Sequence, residues 1–295
     1  MITLKLTKRT WWIPYLFILP FVLSFILFFV VPSVYSFALS FAKYPGYGTI
    51  KWIGIRNYES IFKYSRFYSA LWRTLFYWLA KFIPVTVISF MMAVCLKSKA
   101  TRFMSKFYKP VLFLPQVCAV TATALMFQVL FANQGGAVNM ILGTNVNWIE
   151  NRDTAKWVVL IMMCWRSFGW FMVVYLSGLT AISPELHEAA MIDGASPRQN
   201  LFYITIPLMK QTFMFAFIMD AINSLRMYTE ASVLTGSRGE VAKDSAEGLI
   251  NLMMVNLNSG NFGMASAYGW LIFALVFIIS MGIFSMFREG KGERQ

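Results

Sequence analysis

Glu188-Ala-Ala-Met-Ile-Asp-Gly-Ala-Ser-Pro-Arg-Gln-Asn-Leu-Phe-Tyr-Ile-Thr-Ile-Pro207 is a polar, partly helical stretch stranded between two long apolar runs. Such a segment must leave the bilayer and lie against something in water. Its local chemistry predicts a short helix. Ser183 can serve as N-cap, with Pro184 at the first helical position. Glu185 and Glu188 then sit near the positive end of the helix, where carboxylates are favoured. Gly194 accepts a left-handed backbone and ends the helix. Pro197 prevents direct continuation, so the segment is a turned hairpin, and Pro207 opens the next apolar run.

The flanking runs follow from composition. At 58% hydrophobic residues and 13% charged, the chain is too apolar for a soluble globular protein of 295 residues. A bilayer core about 30 Å thick needs roughly 20 apolar helical residues. Six runs meet that test: Trp11–Phe41, Leu71–Leu96, Tyr108–Ala132, Lys156–Ile182, Ile206–Met227 and Ala265–Phe287. The expected fold is an all-α integral membrane protein. Six transmembrane helices carry a cytoplasmic hairpin between the fourth and fifth, over 183–205. The expected organisation is a cytoplasmic N-terminus at 1–10, a first span at 11–41, an extracytoplasmic loop at 42–70, a core of five spans at 71–287, and a cytoplasmic tail at 288–295. The long first run lacks a persuasive cleavage site and reads as a retained signal anchor. The Gly-, Ser- and Asn-rich loop 228–264 is expected to hold a short interfacial helix near Ala246–Leu257 instead of a seventh span.

The net charge of +13 does not point to nucleic acid, because the basic residues flank apolar spans instead of forming an aromatic-basic surface. They fit anionic lipid and the retention of basic loops in the cytoplasm. With the N-terminus inside, twelve cations fall on inside segments against eight outside. Density decides the orientation. Lys97, Lys99, Arg102, Lys106 and Lys109 crowd 13 residues without an acid. Both termini and the hairpin then face the cytoplasm. Cys95, Cys118 and Cys164 lie apart inside apolar runs and read as small hydrophobes, with no metal site.

Glu188, Ala189, Ala190, Gly194, Ile204 and Pro207 stand at the spacing of the EAA loop of ABC importer permeases. Ile206 replaces the usual leucine. The fuller form His187-Glu-Ala-Ala-Met-Ile-Asp-Gly-Ala195 resembles the carbohydrate branch of that family, the maltose, lactose and glycerol-phosphate type. Three further stretches are similar to that branch. They are the opening helix, the Trp52-Ile-Gly-Ile-Arg-Asn-Tyr58 element, and the start of the last helix at Gly263, Ala265 and Ala267. Thr235-Gly236 matches the start of a turn that then departs at Ser237-Arg-Gly-Glu240.

The resemblance implies several partners. They are a second homologous permease subunit, two ATPase subunits, an extracytoplasmic solute-binding protein and a carbohydrate substrate. No cofactor is implied for this chain, and ATP and Mg belong to the partner ATPase. Consistent with that, no G-x-x-x-x-G-K-[ST] phosphate loop occurs in the sequence. The coupling residues the resemblance assigns are Glu188, Ala189, Ala190, Asp193 and Gly194. Glu188 would meet a basic residue of the ATPase, and the paired alanines would leave a thin face for its groove.

Polar groups inside spans are costly and face the bundle interior or water. Met163, Arg166, Ser167 and Trp170 of the fourth run, with Asp220, Asn223 and Ser224 of the fifth, form a candidate substrate path. At 1.5 Å per residue both sets lie roughly 20 Å above the cytoplasmic side. An Arg166–Asp220 ion pair holding helices together is the competing reading. Lys81, in the second run, has no partner that the pattern assigns. An importer for an amino acid, peptide or inorganic anion remains an alternative, as does a secondary transporter. The latter would want midplane carboxylates and an internal repeat, but Asp220 is the one acid deep in a span and no repeat is evident. An intramembrane enzyme would want a nucleophile–base pair or clustered His, Asp and Glu in the spans, which the sequence lacks.

Overall fold

A computed structural model of the chain describes residues 12–97, 102–236 and 246–288. The basic residues Lys5, Lys8, Arg9 and Lys99, the Ser237–Glu240 departure and the tail beyond Arg288 lie outside the described residues. The chain divides into two compact units. One comprises residues up to Tyr64 with Met253–Trp270, and the other comprises Ser65–Leu252 with residues from Leu271 onward.

The first unit opens with α1 (Ile13–Phe25), a π-helical turn over Ile26–Val30, and α2 (Val31–Leu39). Pro32 explains the wide turn: it has no N–H, and its ring crowds the carbonyl four residues earlier. The chain relieves this by a longer step, in which the Val31 amide donates to Ile26 O. A small antiparallel ribbon follows, pairing β1 (Ala42–Lys43) with β2 (Lys51–Trp52), with Ala42 opposite Trp52. The short helix α3 (Arg56–Lys63) then packs back on the end of α2. Asn57 makes that turn. Its buried amide donates to Ser40 O at 2.8 Å and Ala42 O at 2.9 Å. The Tyr58 hydroxyl donates to Ser40 Oγ at 2.8 Å. The Asn-Tyr element is thus a clasp for carbonyls that the helix end leaves free.

The second unit is built around α4 (Ser65–Lys97) and a later helix that runs beside it. Between them lie α5 (Arg102–Val117), α6 (Val120–Leu130), and α7 (Ala137–Leu142), with α8 (Ala155–Ala181) as the partner of α4. The pair is parallel, because contacts rise together along both helices. Phe76 meets Trp157, the Ser89 hydroxyl donates to Phe168 O at 2.9 Å, and Lys97 Nζ donates to Leu179 O at 2.6 Å. A cation on the last carbonyls of a helix also suits its negative end. Tyr77, Val85, Ala93, Val159, Met162, Met172 and Tyr175 fill the seam.

Helix α5 approaches α8 so closely that Gly169 is required. A Cβ there would run into Leu112 O and lie 2.8 Å from Phe113 Cα. After α8 come α9 (Pro184–Ile192), α10 (Pro197–Gln199), a π-helical turn over Asn200–Thr205, α11 (Ile206–Leu208), α12 (Lys210–Leu225) and α13 (Thr229–Thr235). The second π turn repeats the logic of the first, since Pro207 lies two residues beyond it and the Ile206 amide reaches Leu201 O. Helices α14 (Leu249–Asn258) and α15 (Phe262–Arg288) complete the described chain.

Two of the six expected runs are not straight. Four helices are long and apolar enough to cross a membrane, within Pro14–Leu39, Ser65–Lys97, Ala155–Ala181 and Phe262–Arg288. The third run is broken between α5 and α6, which meet at 94°, and the fifth bends by 66° at Met209. Proline is the cause in both. Pro110 and Pro115 sit inside α5, which ends two residues later, and Pro207 lies just before the Met209 bend. Hydropathy sees an unbroken apolar run in each case, because a bend changes no side chain's polarity. Helix α14 overlaps the interval Ala246–Leu257 expected for a short helix, whereas α13 was not foreseen.

Two substitutions test this packing. Gly169→Ala should cost about 1–3 kcal/mol, since backbone cannot give way as a side-chain tip can, and lower the thermal midpoint of the detergent-solubilised protein. Gly282→Ala, which meets nothing within 4 Å, should leave it unchanged. Asn57→Asp replaces two donated bonds by a group with no donor, and a similar loss of about 1–3 kcal/mol should appear as faster proteolysis near the ribbon.

Candidate functional site

The fourth and fifth runs do meet. A cavity of about 160 Å³ in the second unit is lined by Met163, Arg166, Ser167 and Trp170 of α8 and by Asn223 of α12. Lys81, Gln116, Phe171 and Glu230 complete the wall. Five of the seven residues expected along a substrate path therefore share one cavity. Asp220 and Ser224 do not line it. They lie on the same helix as Asn223 but turn inward, at 3% and 1% exposure.

Asp220 finds its counter-ion in Lys81, not Arg166. The Lys81 Nζ to Asp220 Oδ1 distance is 2.9 Å, with both side chains sealed from solvent. The groups are close without being aligned as a hydrogen bond. Asp220 Oδ2, Ser224 Oγ and Tyr77 Oη have no hydrogen-bond partner among the described residues. Removing one member of such a pair strands a charge in low dielectric and costs about 3–5 kcal/mol. The Arg166–Asp220 pair weighed as the competing reading does not form, because helix azimuth, not depth alone, decides which cation an acid meets. Arg166 instead turns to the break between α5 and α6. Its Nη1 donates to Cys118 O at 2.9 Å and to Thr123 Oγ1 at 3.3 Å. It caps the carbonyl end that the bend exposes, a group that cannot be left bare inside a membrane.

Glu230 and Gln116 were missed. Glu230 sits on α13, a helix within what reads as an outside loop. That helix is pinned to α6, where Gln128 Nε2 donates to Val233 O at 2.7 Å and Leu234 O at 3.0 Å. A lone glutamine after Pro115 was the available signal for Gln116. Lys81 carried a clearer one, being a cation deep in an apolar run.

The hairpin at 184–208 closes on itself. Ser183 Oγ accepts from the Glu185 amide at 3.3 Å, with Pro184 next in line. Gly194 adopts φ +80, where a side chain would be strained. The Ala195 amide reaches back to Ala190 O at 2.8 Å. Ser196 and Gln199 form a reciprocal capping box that starts the return limb. His187 Nδ1 lies 2.6 Å from Asn200 Oδ1, tying the two limbs together. Of the residues assigned to coupling, Glu188, Ala189, Asp193 and Gly194 are exposed, whereas Ala190 is buried inside the hairpin. The alanine pair therefore does not present a single outer face. Leu186, Met191, Ile192, Phe202 and Tyr203 are all exposed on this small element. A charged and apolar tip of this kind is unusual for a loop in contact with water alone.

Comparison with known proteins agrees with this arrangement. The family model described as "Binding-protein-dependent transport system inner membrane component" matches residues 64–288. The arabinooligosaccharides transport system permease protein AraP of Bacillus subtilis (strain 168) is 29% identical over 291 residues, covering 95% of this chain and 90% of that protein. The lactose transport system permease protein LacF of Rhizobium radiobacter is 26% identical, covering 94% of each chain. The trehalose/maltose transport system permease protein MalF of Thermococcus litoralis is 27% identical, covering 93% of each. Among solved structures, a chain of a bacterial ABC transporter involved in the import of the acidic polysaccharide alginate superposes with a TM-score of 0.84 at 20% identity, covering 96% of this chain and 97% of that one. The fold is therefore shared from end to end with a transporter subunit, and the family match spans the cavity and the hairpin alike. The chain belongs to the family of inner membrane components of binding-protein-dependent transport systems.

Proposed function

We propose that this chain is a permease subunit of an ATP-driven carbohydrate importer in the cytoplasmic membrane. It supplies half of the translocation path and turns closure of a partner ATPase into alternating access. Counting each bent pair as one span gives six, with both termini and the hairpin in the cytoplasm. The basic cluster around Lys97–Lys109 supports that orientation. A second homologous permease would complete the path, two ATPase subunits would hold ATP and Mg, and an extracytoplasmic binding protein would deliver the sugar. The named relatives handle arabinooligosaccharides, lactose, and trehalose and maltose, which supports carbohydrate over other solutes.

The observation that carries the reading is covalent continuity between the hairpin and the cavity. Helix α8 lines the cavity with Met163, Arg166, Ser167 and Trp170 and runs on to Ala181, two residues before the hairpin's N-cap. The return limb leads through Pro207 and the Met209 bend into α12, which brings Asn223 to the same cavity. A push on the tip thus reaches two of the helices that wall the cavity. The internal caps and the His187–Asn200 contact let the hairpin move as one piece. Glu188 and Asp193 are the acids positioned to meet a basic partner surface, and Ala189 is the small residue that permits close approach. In the cavity, Asn223, Ser167 and Gln116 suit sugar hydroxyls, and the Trp170 ring suits an apolar sugar face.

Glu188→Arg should lower sugar-stimulated ATP hydrolysis of the assembled importer more than tenfold, the scale of about 2–5 kcal/mol for a reversed interfacial charge. Membrane insertion should be normal, since Glu188 is exposed. Unchanged hydrolysis would remove Glu188 from coupling. In the cavity, Asn223→Ala should cost about 1 kcal/mol per lost hydrogen bond, roughly fivefold in uptake. Trp170→Ala should reduce uptake similarly. Complex yield on affinity purification should hold for both, and an equal fall in yield and uptake would assign these residues to packing.

A further inference from the structure

We infer that the buried Lys81–Asp220 pair sets the charge selectivity of the cavity, keeping it fit for uncharged polyhydroxy compounds and closed to carboxylate-bearing sugars. This deepens the carbohydrate reading above and rests on it. Four charged groups bear on the cavity. Lys81, Arg166 and Glu230 line it, and Asp220 stands behind Lys81. Two cations thus face two carboxylates, and the four charges sum to zero.

Arg166 is committed to Cys118 O and Thr123 at the α5–α6 break. The Lys81 ammonium lies 2.9 Å from Asp220 Oδ1, where both side chains are at most 4% exposed. Little water screens that contact, so the carboxylate cancels most of the ammonium's field within the cavity. The ammonium nevertheless carries three N–H donors, more than one acid oxygen can use. The Lys81–Asp220 pair therefore offers a donor with no net charge, which suits a hydroxyl oxygen. An incoming carboxylate would instead meet Glu230 on the wall, and would add a negative charge to a set that already sums to zero. Lys81 is thus a specificity-determining residue and Asp220 its positioning partner. Neither role was assigned by depth or spacing in the sequence.

The test uses the complete transporter in nanodiscs without binding protein, so that the selectivity read belongs to the membrane path. Glucose and glucuronate are the probes, compared by saturation-transfer NMR as a ratio of bound signals. The wild-type complex should favour glucose. Asp220→Asn, which keeps shape but unmasks the ammonium, should raise the glucuronate-to-glucose ratio about tenfold, a modest fraction of what an unscreened charge contact offers. The double variant Lys81→Met/Asp220→Asn removes both charges, strands neither, and should restore the wild-type preference. It also keeps the idea testable should Asp220→Asn fail to assemble. A wild-type preference for glucuronate, an unchanged ratio in Asp220→Asn, or a glucuronate preference in the double variant would each overturn the assignment. If glucose signals persist but vanish on Trp170→Ala, such a failure touches the charge assignment alone. If Trp170→Ala leaves them intact, the cavity is not the sugar path and the proposed function falls with it.

Discussion

A charge or bare carbonyl inside hydrocarbon has no water to fall back on, and the second unit is arranged around meeting that demand. Lys81 and Asp220 join α4 to α12 through one buried contact. Arg166 joins α8 to the broken α5–α6 run by capping Cys118 O. Both contacts border the same cavity, so the residues that hold the helices together also decide what the cavity can accept. A structural ion pair and a selectivity device are here the same two side chains.

The hairpin follows a different principle, that of local self-sufficiency. Its start, turn and return are each satisfied internally by Ser183, Gly194, the Ser196–Gln199 box and the His187–Asn200 contact. Little of its structure depends on the rest of the chain, which leaves its outer residues free for a partner. The bends near Pro115 and Pro207 complete the arrangement. They give up straight helices where the cavity and the hairpin attachment need direction changes, and each bend is flanked by groups that re-satisfy the backbone.

Much of this was legible beforehand where the physics is local. Capping preferences placed the hairpin helix to the residue, because Ser183, Pro184 and Gly194 act through their own backbone neighbours. The four long apolar helices were readable from run length, and Met163, Arg166, Ser167, Trp170 and Asn223 could be placed at common depth from helical rise. What depends on rotation about a helix axis could not be read. Thus the ion pair weighed for Asp220 named Arg166 when Lys81 is its partner, and Ala190 was assigned to an outer face when it packs inward. The 94° break was hidden because apolar side chains on both sides of a bend look like one span. Glu230 was hidden because a loop helix folding onto α6 leaves no periodic signal.

The most direct test is site-specific labelling of the hairpin tip. With Cys95, Cys118 and Cys164 replaced, a cysteine at Ile192, the most exposed large hydrophobic of α9, should crosslink to the ATPase subunit in intact cells and resist a membrane-impermeant maleimide added outside. Modification from the outside, or the lack of any crosslink to a nucleotide-hydrolysing partner, would contradict the coupling of this hairpin to a cytoplasmic motor.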